Sequence, residues 1–145
     1  MGKSTTASGG FSTAMGGDST ASGDYSVAMG RNTTASGEIS TTMGRETTAS
    51  DYASFVIGQY NSSGSSVTNN ATSFNTANTA FVIGNGTASN AKSDAFKVMF
   101  NGDATVSNDL TVSGDVVISS DARLKSNIVS LGSTCLLYTS PSPRD

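Results

Sequence analysis

Glycine recurs at every seventh residue through the first part of the chain, at Gly2, Gly9, Gly16, Gly23, Gly30, Gly37, Gly44 and Gly58, with Asp51 standing in the same series. A short fixed period marks a solenoid, in which each repeat is one small unit stacked on the next. The half-repeats alternate between Ala-Ser-Gly and Ala-Met-Gly, so the full repeat is fourteen residues. Ala7, Ala21, Ala35 and Ala49 form one column, and Met1, Met15, Met29 and Met43 another. Seven residues make a half-turn, and two half-turns make a coil.

The period excludes the familiar fibrous folds. A coiled coil needs large apolar residues at two seam positions, and a glycine in every heptad costs a helix about 1 kcal/mol each relative to alanine. Collagen needs glycine at every third residue, and calcium-binding rolls need a period of nine with a recurring Asp. Strand and turn remain. In Val27-Ala28-Met29 the side chains alternate in facing, and Gly30 is then expected to give the positive φ of a tight turn. Gly9, Gly16, Gly23, Gly37, Gly44 and Gly58 are expected to be turn glycines of the same kind, and Asp51 to replace one because Asp tolerates that conformation.

A coil lined by Ala, Ser, Thr and an occasional Met buries little apolar area. At roughly 25 cal/mol per Å², such a lining hardly offsets a backbone entropy of about 1 to 2 kcal/mol per residue. Stacking at a ladder spacing of about 4.8 Å gives four coils a height of only some 20 Å. The shortage of core predicts a parallel homotrimer. The expected architecture is all-β: a parallel β-roll of 14-residue coils followed by a short trimeric β-stalk.

Composition narrows the functional classes. The chain has 145 residues, a formal charge of −3, no His and no Trp. Its hydrophobic content of 35% would suggest disorder without the repeat, which overrules that prior. No apolar run approaches membrane-spanning length, and no basic cluster marks a nucleic-acid surface. With no His and one Cys, no metal site and no cofactor is expected. Met1 lies in the methionine column, so it is expected to be an internal residue of a longer reading frame, and the lack of a leader says nothing about export. The last eleven residues, Cys135 to Asp145, hold the sole Cys and both prolines and resemble a translated sequencing-library adapter. They are set aside from fold and function.

Along the chain, residues 1–60 form the repeat, ending in Ser54-Phe55-Val56-Ile57-Gly58, whose larger apolar residues are expected to close the roll. Residues 61–94 read as an irregular Ser/Asn/Thr insertion followed by one more repeat motif, Phe81-Val82-Ile83-Gly84. Residues 95–119 read as the stalk: Phe96, Val98 and Phe100 share a face, Asn101-Gly102 suits a tight hairpin, and short strands follow near Leu110 and Val116.

The pattern Ala-Ser-Gly-x-x-Ser/Thr-x-Ala-Met-Gly, with the later Ser-Phe-Val-Ile-Gly, resembles the head of YadA-like trimeric adhesins over about the first 60 residues and again at Phe81 to Gly84. The resemblance implies a left-handed parallel β-roll in a homotrimer, displayed on a bacterial surface or in a phage tail fibre. Farther on, Ser119-Ser120-Asp121-Ala122-Arg123-Leu124-Lys125-Ser126-Asn127-Ile128 resembles the opening of the endosialidase-type intramolecular chaperone of phage tailspikes and fibres. That resemblance implies autoproteolysis of the Ser119-Ser120 bond with Ser120 and Lys125 as the catalytic pair. A lysine whose pKa is lowered by desolvation can take the proton from a hydroxyl nucleophile. Residues 120–134 are too few for a folded domain that would bury Lys125, so no enzymatic activity is expected of this chain.

The first functional expectation is a structural and receptor-binding segment of a trimeric phage tail fibre or tailspike, located in a virion tail appendage. A bacterial surface adhesin head and a self-cleaving assembly precursor are the alternatives. The partner is a host-surface receptor, carbohydrate or protein, with neither nucleic acid nor membrane insertion. A spacer that only lengthens the fibre stands beside direct binding for the repeat itself. The row Lys3, Arg31 and Arg45 after the glycines reads as a solvated turn, and Met15, Met29 and Met43 as interior or interface filling. The Thr6, Thr20, Thr34, Thr48 column lacks the Thr-x-Thr array of an ice-binding face.

Overall fold

The computed structural model describes residues 2–115. Their strands all lie in one compact unit, Met1–Leu110; a second unit, Thr111–Asp145, adds only residues 111–115 to the described part. Each coil of the roll has one longer and one shorter strand. The longer ones, β1 (Gly2–Lys3), β3 (Thr13–Gly17), β5 (Val27–Arg31), β7 (Thr41–Arg45) and β9 (Phe55–Gln59), stack into one parallel sheet. The shorter ones, β2 (Thr6–Ala7), β4 (Thr20–Ala21), β6 (Thr34–Ala35) and β8 (Thr48–Ala49), stack into a second sheet of four strands. Thr13 lies over Val27 and Val27 over Thr41, so partners are fourteen residues apart and the coil is the full repeat.

The interior is narrower than the alternation alone suggests. Ala21, Ala28, Ala35, Ala49, Val56 and Val82 are fully buried, together with Ser19, Ser26, Thr33, Ser40, Thr42 and Thr47. The methionine columns, expected to share in lining the coil, instead point outward: Met15 is 41% and Met43 37% exposed. Only small side chains fit between the two sheets, so alanine rather than methionine takes the inside. The buried hydroxyls bond to one another or to carbonyls across the coil. Thr33 Oγ1 donates to Ser19 Oγ at 2.9 Å, Thr42 Oγ1 to Thr47 Oγ1 at 2.7 Å, and Ser40 Oγ to the Ala49 carbonyl at 3.2 Å. A buried hydroxyl without such a partner would cost about 1 to 3 kcal/mol.

The glycines serve close approach more than turning. Gly30 does have a positive φ, 132°, but inside β5; Gly9, Gly23 and Gly37 have no positive φ at all. A Cβ on Gly23 would lie 2.1 Å from the carbonyl oxygen of Gly37 in the next coil, and one on Gly30 2.0 Å from that of Gly44. The left-handed residues of the corners sit two places after each glycine of the series and after Asp51: Ser4, Phe11, Asp18, Tyr25, Asn32, Ile39, Glu46, Ala53 and Tyr60, with φ between 45° and 60°. That conformation turns the amide toward the preceding coil. Tyr25 N bonds to the Gly10 carbonyl at 2.7 Å and Ile39 N to that of Asp24 at 2.8 Å, so the ladder continues around the corner. Its yield in hydrogen bonds offsets the strain of about 1 to 2 kcal/mol that a left-handed non-glycine residue carries.

Asp51 also has a different basis from the one the sequence suggests. Its φ is not positive, and its fully buried carboxylate accepts the amides of Thr68 and Thr79. It closes the glycine column at the point where the insertion leaves the coil, and it ties that insertion down. Residues 61–78 contain no strand. Asn61 ends the second sheet: its side-chain amide accepts from Thr48 N at 2.8 Å and donates to the Thr48 carbonyl at 2.9 Å, imitating a further strand.

After the insertion, β10 (Thr79–Asn85) returns to the first sheet in parallel register, Val82 on Val56 and Gly84 on Gly58. Two antiparallel strands follow, β11 (Asp94–Met99) and β12 (Ala104–Val106), so that this sheet has eight strands in all. The boundary drawn from composition at residue 95 therefore falls inside β11. Asn101-Gly102 forms the connecting hairpin, with Gly102 at a φ of 94°. Val56 fills the end of the roll as expected of a capping coil, but its neighbours Phe55 and Ile57 face outward.

Candidate functional site

Because side chains alternate along a strand, the face opposite the alanines collects the larger apolar residues. Thr13, Val27, Thr41, Phe55 and Phe81 form one outer column, and Met15, Met29, Met43, Ile57 and Ile83 its neighbour. The hairpin strands extend this face, with Val98 opposite Phe81, Phe96 opposite Ile83, and Val106 opposite Phe96. Ring contacts run along and across this face: Phe55 and Phe81 stack at 5.8 Å within their column, and Phe96 of the hairpin meets Phe81 edge-on at 6.1 Å. The outcome is a contiguous apolar surface on one side of a roll whose inside holds mostly Ala, Ser and Thr. Surfaces of this kind mark association sites.

A second ridge follows the left-handed corners. Phe11, Tyr25 and Ile39 are exposed, and the rings of Phe11 and Tyr25 stack at 5.2 Å. Sequence reading missed this ridge, although its residues recur with the same fourteen-residue spacing two places after Gly9, Gly23 and Gly37. At the far end of the same strands, Arg31 lies over Arg45 in register, and both are exposed. The Arg45 guanidinium sits 5.4 Å from the Tyr60 ring centroid, a cation–π contact. In the second sheet Thr20, Thr34 and Thr48 point outward while Thr33 and Thr47 are buried.

The glycines named from the sequence are thus brought together as coil-to-coil contacts. Ser120 and Lys125, with the Ser119-Ser120 bond, lie outside the described residues, as do the chaperone-like segment and the final eleven residues. Among the described residues no three His, Cys, Asp or Glu side chains gather closely enough to hold a metal ion.

Fold and surface define a parallel β-roll of fourteen-residue coils with one apolar outer face. Residues 1–44 match the family model described as YadA head domain repeat (2 copies), in overlapping segments 1–19, 7–33 and 21–44. No curated protein and no solved structure matches the chain. The N-terminal coils are therefore similar to YadA head repeats, and they support an adhesin-type segment.

Proposed function

We propose that this protein is the structural and receptor-binding segment of a trimeric fibre that attaches to a host surface. One observation carries the reading: the roll keeps alanine, serine, threonine and valine inside and places Val27, Met29, Phe55 and Phe81 on an outer face that no other described strand covers. Three copies packed about the fibre axis bury those columns and supply the apolar area that the interior lacks. Sedimentation tests this directly. A trimer is expected, with Met29→Asp and Phe81→Asp each shifting it toward monomer; a stable folded monomer of the unaltered chain refutes the proposal. Attachment is tested by adding the purified trimer to host cells and measuring its competition with intact particles.

A phage tail fibre or tailspike is the favoured setting, supported by the chaperone-like segment that begins near Ser119. A bacterial trimeric autotransporter head is the second reading, supported by the YadA head match over residues 1–44. Tail genes beside the uninterrupted reading frame favour the first, and an outer-membrane anchor within it the second. Where a complete chaperone domain follows, the chain is proposed to cleave itself before Ser120, with Lys125 as the base. Mass spectrometry of that longer product beside its Ser120→Ala variant checks this; equal masses remove the catalytic pair.

A further inference from the structure

Beyond the roll, β10, β11 and β12 and the start of the insertion enclose an open cleft of about 360 Å³. Lys92 and Lys97 both line it, and neither side-chain ammonium makes a hydrogen bond or an ion pair among the described residues. Lys97 is half-buried on β11, opposite Val82 and Thr105. Two unpaired ammonium groups on one cleft raise its potential and favour an anion there. One carboxylate, Asp94, shares the cleft, so its charged lining keeps a net excess of one positive charge. The two Asp94 oxygens accept the amides of Ser62 and Ser63, each at 2.8 Å, which holds the loop as a wall of the cleft.

The remaining lining is hydroxyl and amide. The side chains of Ser62, Ser63 and Thr105 have no partner among the described residues, and Asn85 accepts from Ser93 Oγ at 2.7 Å while its amide nitrogen stays free to donate. Hydroxyls both donate and accept, which complements a polyhydroxylated ligand. No aromatic side chain lines the cleft, so it offers no stacking platform for a base. Its volume lies at the low end for small-molecule sites and suits one or two sugar rings.

We propose that this cleft binds an acidic saccharide, with Lys92 and Lys97 holding its carboxylate or sulfate and the hydroxyl-lined wall holding the ring. The inference rests on the receptor-binding reading above and names the chemistry of the receptor. One such site is weak, with a dissociation constant on the order of a millimolar, because open clefts keep competing water. A trimer presents three, and simultaneous engagement raises avidity by roughly 10² to 10⁴.

The test is nuclear magnetic resonance titration of the full chain with N-acetylneuraminic acid, glucuronic acid, galactose 6-sulfate, neutral methyl galactoside and inorganic sulfate. The acidic sugars are expected to shift the amides of Lys97, Thr105 and Ser63, and to bind about tenfold more weakly to the Lys92→Gln/Lys97→Gln double variant, whose melting is unchanged. A response to the carboxylated or to the sulfated sugars identifies which acid group is taken. Equal binding of methyl galactoside, full reproduction by inorganic sulfate, undiminished binding by the double variant, or no shifts with any sugar each overturns the proposal. Cell attachment measured in parallel separates the two claims: attachment without sugar binding sinks this inference alone, and loss of both sinks the receptor-binding reading as well.

Discussion

Replacing Gly23 by alanine isolates the close-approach role of the repeat glycines. Gly23 has no positive φ, so alanine adds no backbone strain there, but its Cβ would stand 2.1 Å from the Gly37 oxygen and 2.5 Å from the Gly37 carbonyl carbon. Tolerable contact begins near 3.0 Å, so the coils must part by about 1 Å, which weakens the ladder bonds on either side. Overpacking of backbone against backbone sits at the upper end of its usual range, giving a loss of about 3 kcal/mol. Gly30→Ala meets the same obstruction at 2.0 Å and adds a φ of 132°, for a loss of about 4 kcal/mol. Two controls divide these terms. At Gly102 the φ is 94° but no atom lies within 4 Å, so alanine costs only about 1 kcal/mol. At Gly17 neither obstacle exists, and the change is neutral within about 0.5 kcal/mol. Urea denaturation followed by far-ultraviolet circular dichroism, at fixed protein concentration, ranks the four variants. A Gly23→Ala protein as stable as the unaltered chain, or no more affected than Gly102→Ala, refutes the steric account.

Asp51→Gly restores the heptad glycine yet should destabilise by about 2 kcal/mol, because the amides of Thr68 and Thr79 lose a buried acceptor; thermal melting checks the sign. Asn61→Leu removes the amide that caps β8 and should speed exchange of the Thr48 amide, measured by hydrogen exchange, with a stability loss of about 1 to 2 kcal/mol. Arg45→Ala removes the contact over Tyr60 and should lower stability by no more than about 1 kcal/mol, since the guanidinium is exposed; a larger drop in the same denaturation assay would give that row a structural role.

Much of the fold was legible from residue spacing. A period of seven resolving to fourteen dictates strand partners fourteen apart, and the restated Phe81-Val82-Ile83-Gly84 motif foretells the return of β10 onto β9. Asn101-Gly102 likewise announces its hairpin. Periodicity is a property of the chain, and in a solenoid neighbours in space are the same column one repeat apart.

Which face of each strand lies inside was settled by the third dimension. Alternation separates Ala28 from Val27 and Met29 but is symmetric between the two sides, and the small gap between the sheets chose alanine. The reason for glycine belonged there too, because the Gly37 oxygen that forbids a Cβ on Gly23 lies in another coil. Asp51 and Asn61 look like breaks in a pattern until the amides they satisfy come from Thr68, Thr79 and Thr48. Lys92 and Lys97 meet Ser62 and Ser63 in one cleft only because β11 folds back on β10. Sequence spacing encodes the repeat, whereas inside and outside, close approach and convergence of distant residues depend on how much room the stacked coils leave.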